Sequence, residues 1–201
     1  MNKEQRIEDF SITWSEYAPA ESDWLVTENT KFMEYLKEGG FFTAPASTKY
    51  HGAYEGGLYD HSNAVFLRLS KLTVDNNLSW ERPESPFIIG YFHDLCKCDQ
   101  YVITPDSYDR TVVGGMEILT PCINPKYEYN TDTLLKGHGA KSVMILSQFI
   151  TLTEEEMLCI RYHMGAYEKE EWAEFDKAIR KYPNVLWTHM ADMLASKVDD
   201  I

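Results

Sequence analysis

An ordered series of histidines and aspartates, each in or beside an apolar, helix-like segment, constrains the fold of this chain more than any other feature. A fold that packs those segments together can direct imidazoles and carboxylates to one interior place, which is how a helical bundle builds a metal site. The pattern therefore favours an all-α protein. The members of the series, in chain order, are His61, the His93-Asp94 pair, His138, His163 and Asp192.

The dipeptide His93-Asp94 is informative because of the residues on either side of it. The apolar run FIIGYF leads directly into it, and Lys97 follows about one helical turn later in FHDLCK. Side chains three or four residues apart share one face of a helix, so the two ligand types and a cation can meet in one ligand-sized volume. We expect a helix from Phe87 to about Lys97, opened by Ser85-Pro86, with the pair near its C-terminal end.

Periodicity and capping residues predict six or seven helices. One runs from Trp24 to about Lys37, and another starts at Leu58 and carries His61 on its buried face. The remaining expected features are a short hairpin around Gly114-Gly115, a helix from Gly139 to about Phe149, a Thr153-x-x-Glu156 capping box opening a helix toward His163, a helix around Trp172 to Ile179, and a last helix from about Pro183 to Lys197.

Composition limits the classes of function. The 201 residues, with apolar side chains spread evenly, predict one domain. We expect neither a transmembrane span nor a secretory leader, and therefore a cytoplasmic protein without a membrane partner. A formal net charge of −13 disfavours long nucleic acid as a partner, whereas a small phosphorylated substrate or nucleotide remains compatible with it. The four cysteines lack a disulfide or zinc-knuckle pattern.

The order of a His, an HD pair, two later His and a distal Asp resembles the binuclear branch of the HD-domain metal-dependent phosphohydrolases. The stretch PASTKYHGAYEGGLYDHSNAV is similar to the opening segment of the HD domain in YhaM-type 3′-to-5′ exoribonucleases, and GHGAKSVMIL, RYHMGAY and THMADMLAS look like its later ligand segments. The resemblance covers about residues 41–200. It implies a single HD-domain helical bundle, with residues 1–40 as an N-terminal helical extension and a small β-hairpin insertion between about 99 and 137.

Two departures from the family pattern bear on the substrate. Only about forty residues precede the HD core, too few for a nucleic-acid-binding module of the OB type, so the exonuclease analogy is weakened. The segment between Asp99 and Gly137 is long and irregular, and we expect it to set substrate choice.

The resemblance also implies a ligand set. One metal would be held by His61, His93, Asp94 and Asp192, and Asp94 would bridge to a second held by His138 and His163. Imidazole and carboxylate ligands suit one or two divalent transition-metal ions, of iron, manganese, nickel, cobalt or zinc, without distinguishing among them. Asp94 would be catalytic as the bridge between the ions.

Three further residues are candidates for roles beside the metal. Lys97 is expected to bind an anionic substrate oxygen and to stabilise charge in the transition state. His51 is a candidate substrate contact, and His189 is either a hydrogen-bond donor behind the ligands or a packing residue.

The resulting hypothesis is a phosphatase or phosphodiesterase that uses a metal-activated water. Two alternatives stay open. Some HD-fold proteins of the inositol oxygenase kind use the same six ligand types to activate dioxygen, and a non-catalytic metal- or nucleotide-binding module is the other.

Overall fold

The computed structural model describes residues 1–17, 26–114, 116–135, 137–166 and 171–201, and in 26–29 only the backbone. Within those ranges the chain is a mostly helical single domain with eight α-helices and two small two-stranded sheets. The helices are α1 (Lys3–Tyr17), α2 (Val26–Glu38), α3 (Gly57–Asp75), α4 (Ser85–Phe92), α5 (Gly139–Leu146), α6 (Glu154–Arg161), α7 (Trp172–Lys181) and α8 (Asn184–Lys197). The strands are β1 (Tyr101–Ile103), β2 (Tyr108–Val113), β3 (Met116–Pro121) and β4 (Tyr127–Tyr129).

Several of the predicted local signals are present as expected. The Thr153 hydroxyl accepts from the Glu156 backbone N–H at 3.2 Å and the Glu156 carboxylate accepts from the Thr153 N–H at 3.0 Å, which is the reciprocal capping box that opens α6. In α3 the predicted stripe of Leu58, His61 and Val65 is buried. The last helix begins at Asn184, one residue from the expected position. The start expected at Trp24 lies outside the described residues, and the described part of that helix is α2, Val26–Glu38.

The aromatic part of the core is a cluster of rings around α1, α3 and α4. Phe10 of α1 is completely buried, and its ring centroid lies 5.2 Å from that of Tyr91 and 6.0 Å from that of Phe41. Edge-to-face contacts of this kind favour a fixed arrangement of the rings over a fluid one. The first helix is also tied to α3 by Arg6, whose guanidinium donates to both carboxylate oxygens of Asp60 at 2.9 and 2.8 Å.

The segment between α4 and α5 contains both small sheets. The predicted hairpin around Gly114 is confirmed, because β2 pairs antiparallel with β3 from Tyr108↔Pro121 to Val113↔Met116. A second antiparallel pair, β1 with β4, joins Tyr101 to Tyr129 and was not expected. This pair closes the base of the insertion.

The helix predicted from Phe87 to about Lys97 is wrong in its second half. The α-helix ends at Phe92, and a 3₁₀ turn follows over Leu95–Cys98. Side chains at i and i+3 eclipse in 3₁₀ geometry, and the turn thereby places the Lys97 ammonium 2.6 Å from the Asp94 carboxylate. No helix among the described ranges combines the length and apolar character needed to cross a membrane.

Candidate metal centre

Two close backbone contacts bring the predicted ligands together, and the first joins α3 to α4. A Cβ atom placed on Gly90 would lie 2.5 Å from the Cα of Phe66, so only glycine permits this approach. His93 follows α4 directly, and the contact sets its ring beside that of His61 on α3, with centroids 5.4 Å apart.

The second contact joins the start of α5 to the end of α6. A Cβ atom on Gly139 would lie 2.4 Å from the carbonyl oxygen of Arg161. His138 immediately precedes α5 and His163 follows α6, so this approach brings their rings to a centroid distance of 5.0 Å. Asp192 comes from α8, which packs against both α3 and α6. All six residues predicted as ligands therefore meet in one place.

Asp94 lies at the middle of this group, and its two oxygens face different histidines. Oδ2 is 3.4 Å from Nε2 of His93 and 3.7 Å from Nε2 of His61. Oδ1 is 2.9 Å from Nε2 of His138 and 3.4 Å from Nε2 of His163. A carboxylate with a separate pair of imidazoles at each oxygen has the arrangement required of a bridging ligand.

Further charged groups lie on the Oδ2 side. Asp192 Oδ1 is 3.1 Å from His61 Nε2, and burial alone would raise the pKa of Asp192, but His61 and the neighbouring histidines hold that pKa well below its ordinary range. The Lys97 ammonium contacts Oδ2 of Asp94 and is almost fully buried. This side of the centre therefore contains two carboxylates and one ammonium.

In three of these rings Nδ1, the nitrogen that points away from the centre, is held by a backbone carbonyl. A carbonyl oxygen only accepts, so each of these Nδ1 atoms carries a proton, and Nε2 is the nitrogen that can bind a metal ion once it is deprotonated. This is the tautomer that a metal-binding imidazole requires. The three pairs are His93 Nδ1 to Gly90 O at 2.9 Å, His163 Nδ1 to Ile160 O at 2.8 Å and His61 Nδ1 to Ile201 O at 2.9 Å.

His138 differs from the other three because its Nδ1 faces the thiol of Cys96 at 3.3 Å. Cys96 is fully buried, and its backbone N–H donates to the Ser142 hydroxyl at 3.0 Å. The sequence reasoning missed this residue, because a continuous helix through Asp94 would not have turned the Cys96 thiol toward His138.

A small set of close ligand atoms can hold a metal ion. His61, His93 and Asp94 form one buried group, and Asp94, Cys96 and His138 form another, each with its ligand atoms within 4.8 Å of one another. Asp94 Oδ1, His138 Nε2 and His163 Nε2 are also buried, and none of them makes a hydrogen bond of good geometry, although Asp94 Oδ1 and His138 Nε2 lie only 2.9 Å apart. Buried polar atoms without partners are costly, and a cation between them would satisfy all three. The residues present thus fit a metal ion.

The electrostatics of the centre are dominated by Asp94. Burial would raise the pKa of its carboxyl, but Lys97, His93 and His138 outweigh burial and hold the pKa well below its usual range. In return Asp94 overcomes the effect of burial on its neighbours: it raises the pKa of His138 to about 9 and that of Lys97 above its ordinary value. A cation that binds at His138 near neutral pH must therefore displace a proton.

Two other predicted residues lie at the edge of the group. The His51 ring centroid is 4.9 Å from that of His61, its Nδ1 is buried without a hydrogen bond, and burial lowers its pKa to about 4. His189 has its Nδ1 2.7 Å from the carbonyl oxygen of His163 and so supports the backbone behind a candidate ligand.

Comparisons with protein-family models, with curated proteins and with solved structures find no match for this chain. The molecule has a mostly helical fold and a buried His/Asp/Cys group that can hold a metal ion.

Proposed function

We propose that this chain is a metal-dependent phosphohydrolase of the HD-domain class, a phosphatase or phosphodiesterase acting on a small phosphoester or nucleotide. The observation that supports this best is the placement of the Asp94 carboxylate. One of its oxygens faces His61 and His93, and the other faces His138 and His163. A buried carboxylate shared in this way is suited to hold two cations a few ångström apart, which is the arrangement that two-metal phosphoester chemistry uses.

In this proposal the six predicted residues divide into two ligand sets. His61, His93, Asp94 and Asp192 would hold one divalent transition-metal ion, and Asp94, His138 and His163 would hold the second. When bound, such ions supply Lewis acidity toward phosphoryl oxygens and make a water molecule acidic enough to act as a nucleophile near neutral pH. Imidazole and carboxylate donors suit iron, manganese, nickel, cobalt or zinc.

Lys97 and His51 would act on the substrate. The Lys97 ammonium is held in place by Asp94 and is shielded from solvent, so its charge acts on an anionic oxygen with little screening. His51 has a buried ring nitrogen without a partner, at the edge of the centre beside His61. Its low pKa keeps the ring neutral, and a neutral imidazole donates or accepts a single hydrogen bond at that position.

The overall charge of the chain argues for a small substrate. With a formal net charge of −13, the surface repels a long polyanion, and attraction of a phosphoryl group depends on local positive charge. Lys97 and the bound cations would provide this positive charge within a region about the size of one phosphoryl group.

Metal content and activity test the proposal together. The protein, purified without chelators, is expected to carry about one to two transition-metal ions per chain by elemental analysis, since Asp94 has two oxygens to share. Manganese-, nickel- or iron-loaded protein should release phosphate or open a phosphodiester on a panel of nucleoside monophosphates, cyclic nucleotides and sugar phosphates. Asp75→Asn, an exposed acid in a surface ion pair with Lys71, is the matched control and should retain both properties.

Two results would overturn the proposal in different ways. Absence of bound metal, together with a melting temperature that does not respond to any added divalent cation, would remove the metal centre itself. Oxygen consumption by the ferrous protein without hydrolysis of any phosphoester would instead favour the di-iron oxygenase, which uses the same ligand types.

A further inference from the structure

A cavity of about 630 Å³ lies between the loop that follows α2 and the strands β1 and β4. One wall comes from residues 43–45 and 53–55, and the other from Cys98, Tyr101 and Ile103 together with the segment 121–125 and Tyr127. Its volume is within the range of sites that bind small organic molecules. None of the six candidate ligands lines it, so this space is separate from the metal centre.

Both walls include residues that lie close along the chain to residues of the candidate metal centre. On one side, His51 places its ring against His61, and Ala53 and Tyr54 line the cavity only two and three residues later. On the other side, Cys98 follows Lys97. Burial, the neighbouring Tyr129 and the negative charge of Asp94 raise the pKa of Tyr101, so this hydroxyl lies within electrostatic reach of Asp94.

The aromatic side chains of the lining are held in fixed positions. The Tyr54 hydroxyl donates to Asp60 Oδ2 at 3.0 Å, and Asp60 is itself held by Arg6. The Tyr101 ring packs on Tyr129 of the paired strand with centroids 5.3 Å apart. Rigid aromatic surfaces bind planar rings at a low cost in conformational entropy.

The polar groups of the lining favour an uncharged ligand that carries N–H donors. Among the described residues that line the cavity, Glu55 is the only charged one, and no lysine or arginine lines it. Glu55 is exposed and lines the wall opposite Tyr127, and burial together with the Glu55 charge raises the pKa of the Tyr127 hydroxyl. A phosphoryl group would be repelled here, whereas a carboxylate accepts N–H donors of a heterocycle.

We propose that this cavity binds the base of a nucleoside monophosphate while its phosphoryl group reaches the centre at Asp94. The nucleobase would lie against Tyr101 and Tyr54, with its N–H donors toward Glu55. The assignment of the phosphoryl end rests on the proposed phosphohydrolase function, but the binding of the base does not. The insertion between α4 and α5 thereby selects the substrate class.

Binding of nucleosides that lack a phosphate tests the cavity without any activity. Adenosine, guanosine, cytidine and uridine are titrated into the protein by calorimetry, and we expect saturable binding of at least one of them. Tyr101→Ala should weaken that binding about 10-fold or more, the scale of losing one base–aromatic stacking contact. Glu55→Gln, a change at an exposed loop position that leaves the fold unstrained, should weaken it as well and alter the preference among bases. Tyr50→Ala is the control, because Tyr50 is 78% exposed and does not line the cavity.

Kinetics on two substrates then links the cavity to the centre. Tyr101→Ala should raise KM for the preferred nucleoside monophosphate far more than KM for glycerol 2-phosphate, which has no base. Nucleoside binding that is absent in the wild type, or unaffected by both variants, would overturn the cavity assignment even if phosphoesters are hydrolysed. Nucleoside binding that follows the prediction, without release of phosphate from any ester, would leave the cavity intact and overturn the proposed reaction.

Discussion

Neutralising Asp94 should destabilise the metal-free protein and remove its metal-binding capacity at the same time. Asp94→Asn preserves the size of the side chain but leaves Lys97, whose Nζ is 2.6 Å from Asp94 Oδ2 and almost fully buried, without its carboxylate. Removing one partner of a buried pair costs about 3–5 kcal/mol, because an uncompensated charge remains inside the protein. In a chain of 201 residues, each kcal/mol lowers the melting temperature by about 2–4 °C, so we expect a fall of about 6–20 °C.

The assay compares melting temperatures in the presence of a chelator and then measures the metal content after reconstitution. Asp75→Asn is the matched control, because the Lys71–Asp75 pair has a similar separation of 2.7 Å but is exposed, and an exposed pair contributes about 1 kcal/mol or less. Asp94→Asn should also bind neither ion, since both ligand sets share this carboxylate. The double variant with Lys97→Met should recover part of the lost stability, because no unpaired ammonium is then buried.

The outcomes separate the structural role of Asp94 from its role as a ligand. A melting temperature equal to that of Asp75→Asn would contradict the buried ion pair. Retention of about one ion by Asp94→Asn would contradict the shared carboxylate, since a bridge that is lost should affect both positions.

The remaining predictions concern the residues around this carboxylate. His138→Ala and His163→Ala should each leave about one ion per chain by elemental analysis, and loss of all metal in both would indicate a single site. Lys97→Ala should retain metal and lower phosphoester turnover about 10²-fold, whereas unchanged turnover would make Lys97 a structural residue only. Because the pKa of His138 is raised from 6.5 to about 9, its positive charge stabilises the metal-free protein fully below pH 6.5, and this stabilisation is lost as the pH rises through about 9. The melting temperature of the wild type should therefore fall over this pH range, and that of His138→Ala should fall less. Arg68→Leu, which removes the anchor of the segment that holds His61, should weaken metal binding several-fold by competition with a chelating dye, although Arg68 touches no candidate ligand.

The residues of the centre could be predicted from the sequence because they depend on residue type and order along the chain. A His on the buried face of an apolar helix, such as His61, points inward whatever its neighbours are, and Asp192 lies in an apolar stretch where an unpaired carboxylate would be costly. The hairpin at Gly114 was likewise predicted from local turn chemistry. These inferences need no knowledge of how distant segments meet.

The errors arose where tertiary contacts decide the local structure. The apolar run before His93 predicts a helix that continues to Lys97, but the Asp94–Lys97 pair and the hydrogen bond from Cys96 N–H to Ser142 favour a 3₁₀ turn. Pairing of β1 with β4 joins segments of three residues each, too short for a periodic signal. The role of Cys96 depends on both features and could not be inferred from the sequence.

The main-chain oxygens that face Nδ1 of the candidate ligands also come from either local or distant segments. The orientations of the three rings should therefore differ in how easily a change elsewhere in the chain disturbs them. His93 and His163 each have a carbonyl three residues earlier behind Nδ1, so their tautomers are set by the turns in which they lie. The carbonyl behind His61 belongs to Ile201, 140 residues away, and it is held in place through the pairing of Arg68 with Asp199. A ligand that depends on a distant backbone segment loses its orientation when that segment moves, whereas one supported by its own turn does not. Metal binding through His61 should therefore respond to changes in the 198–201 segment that leave His93 and His163 unaffected.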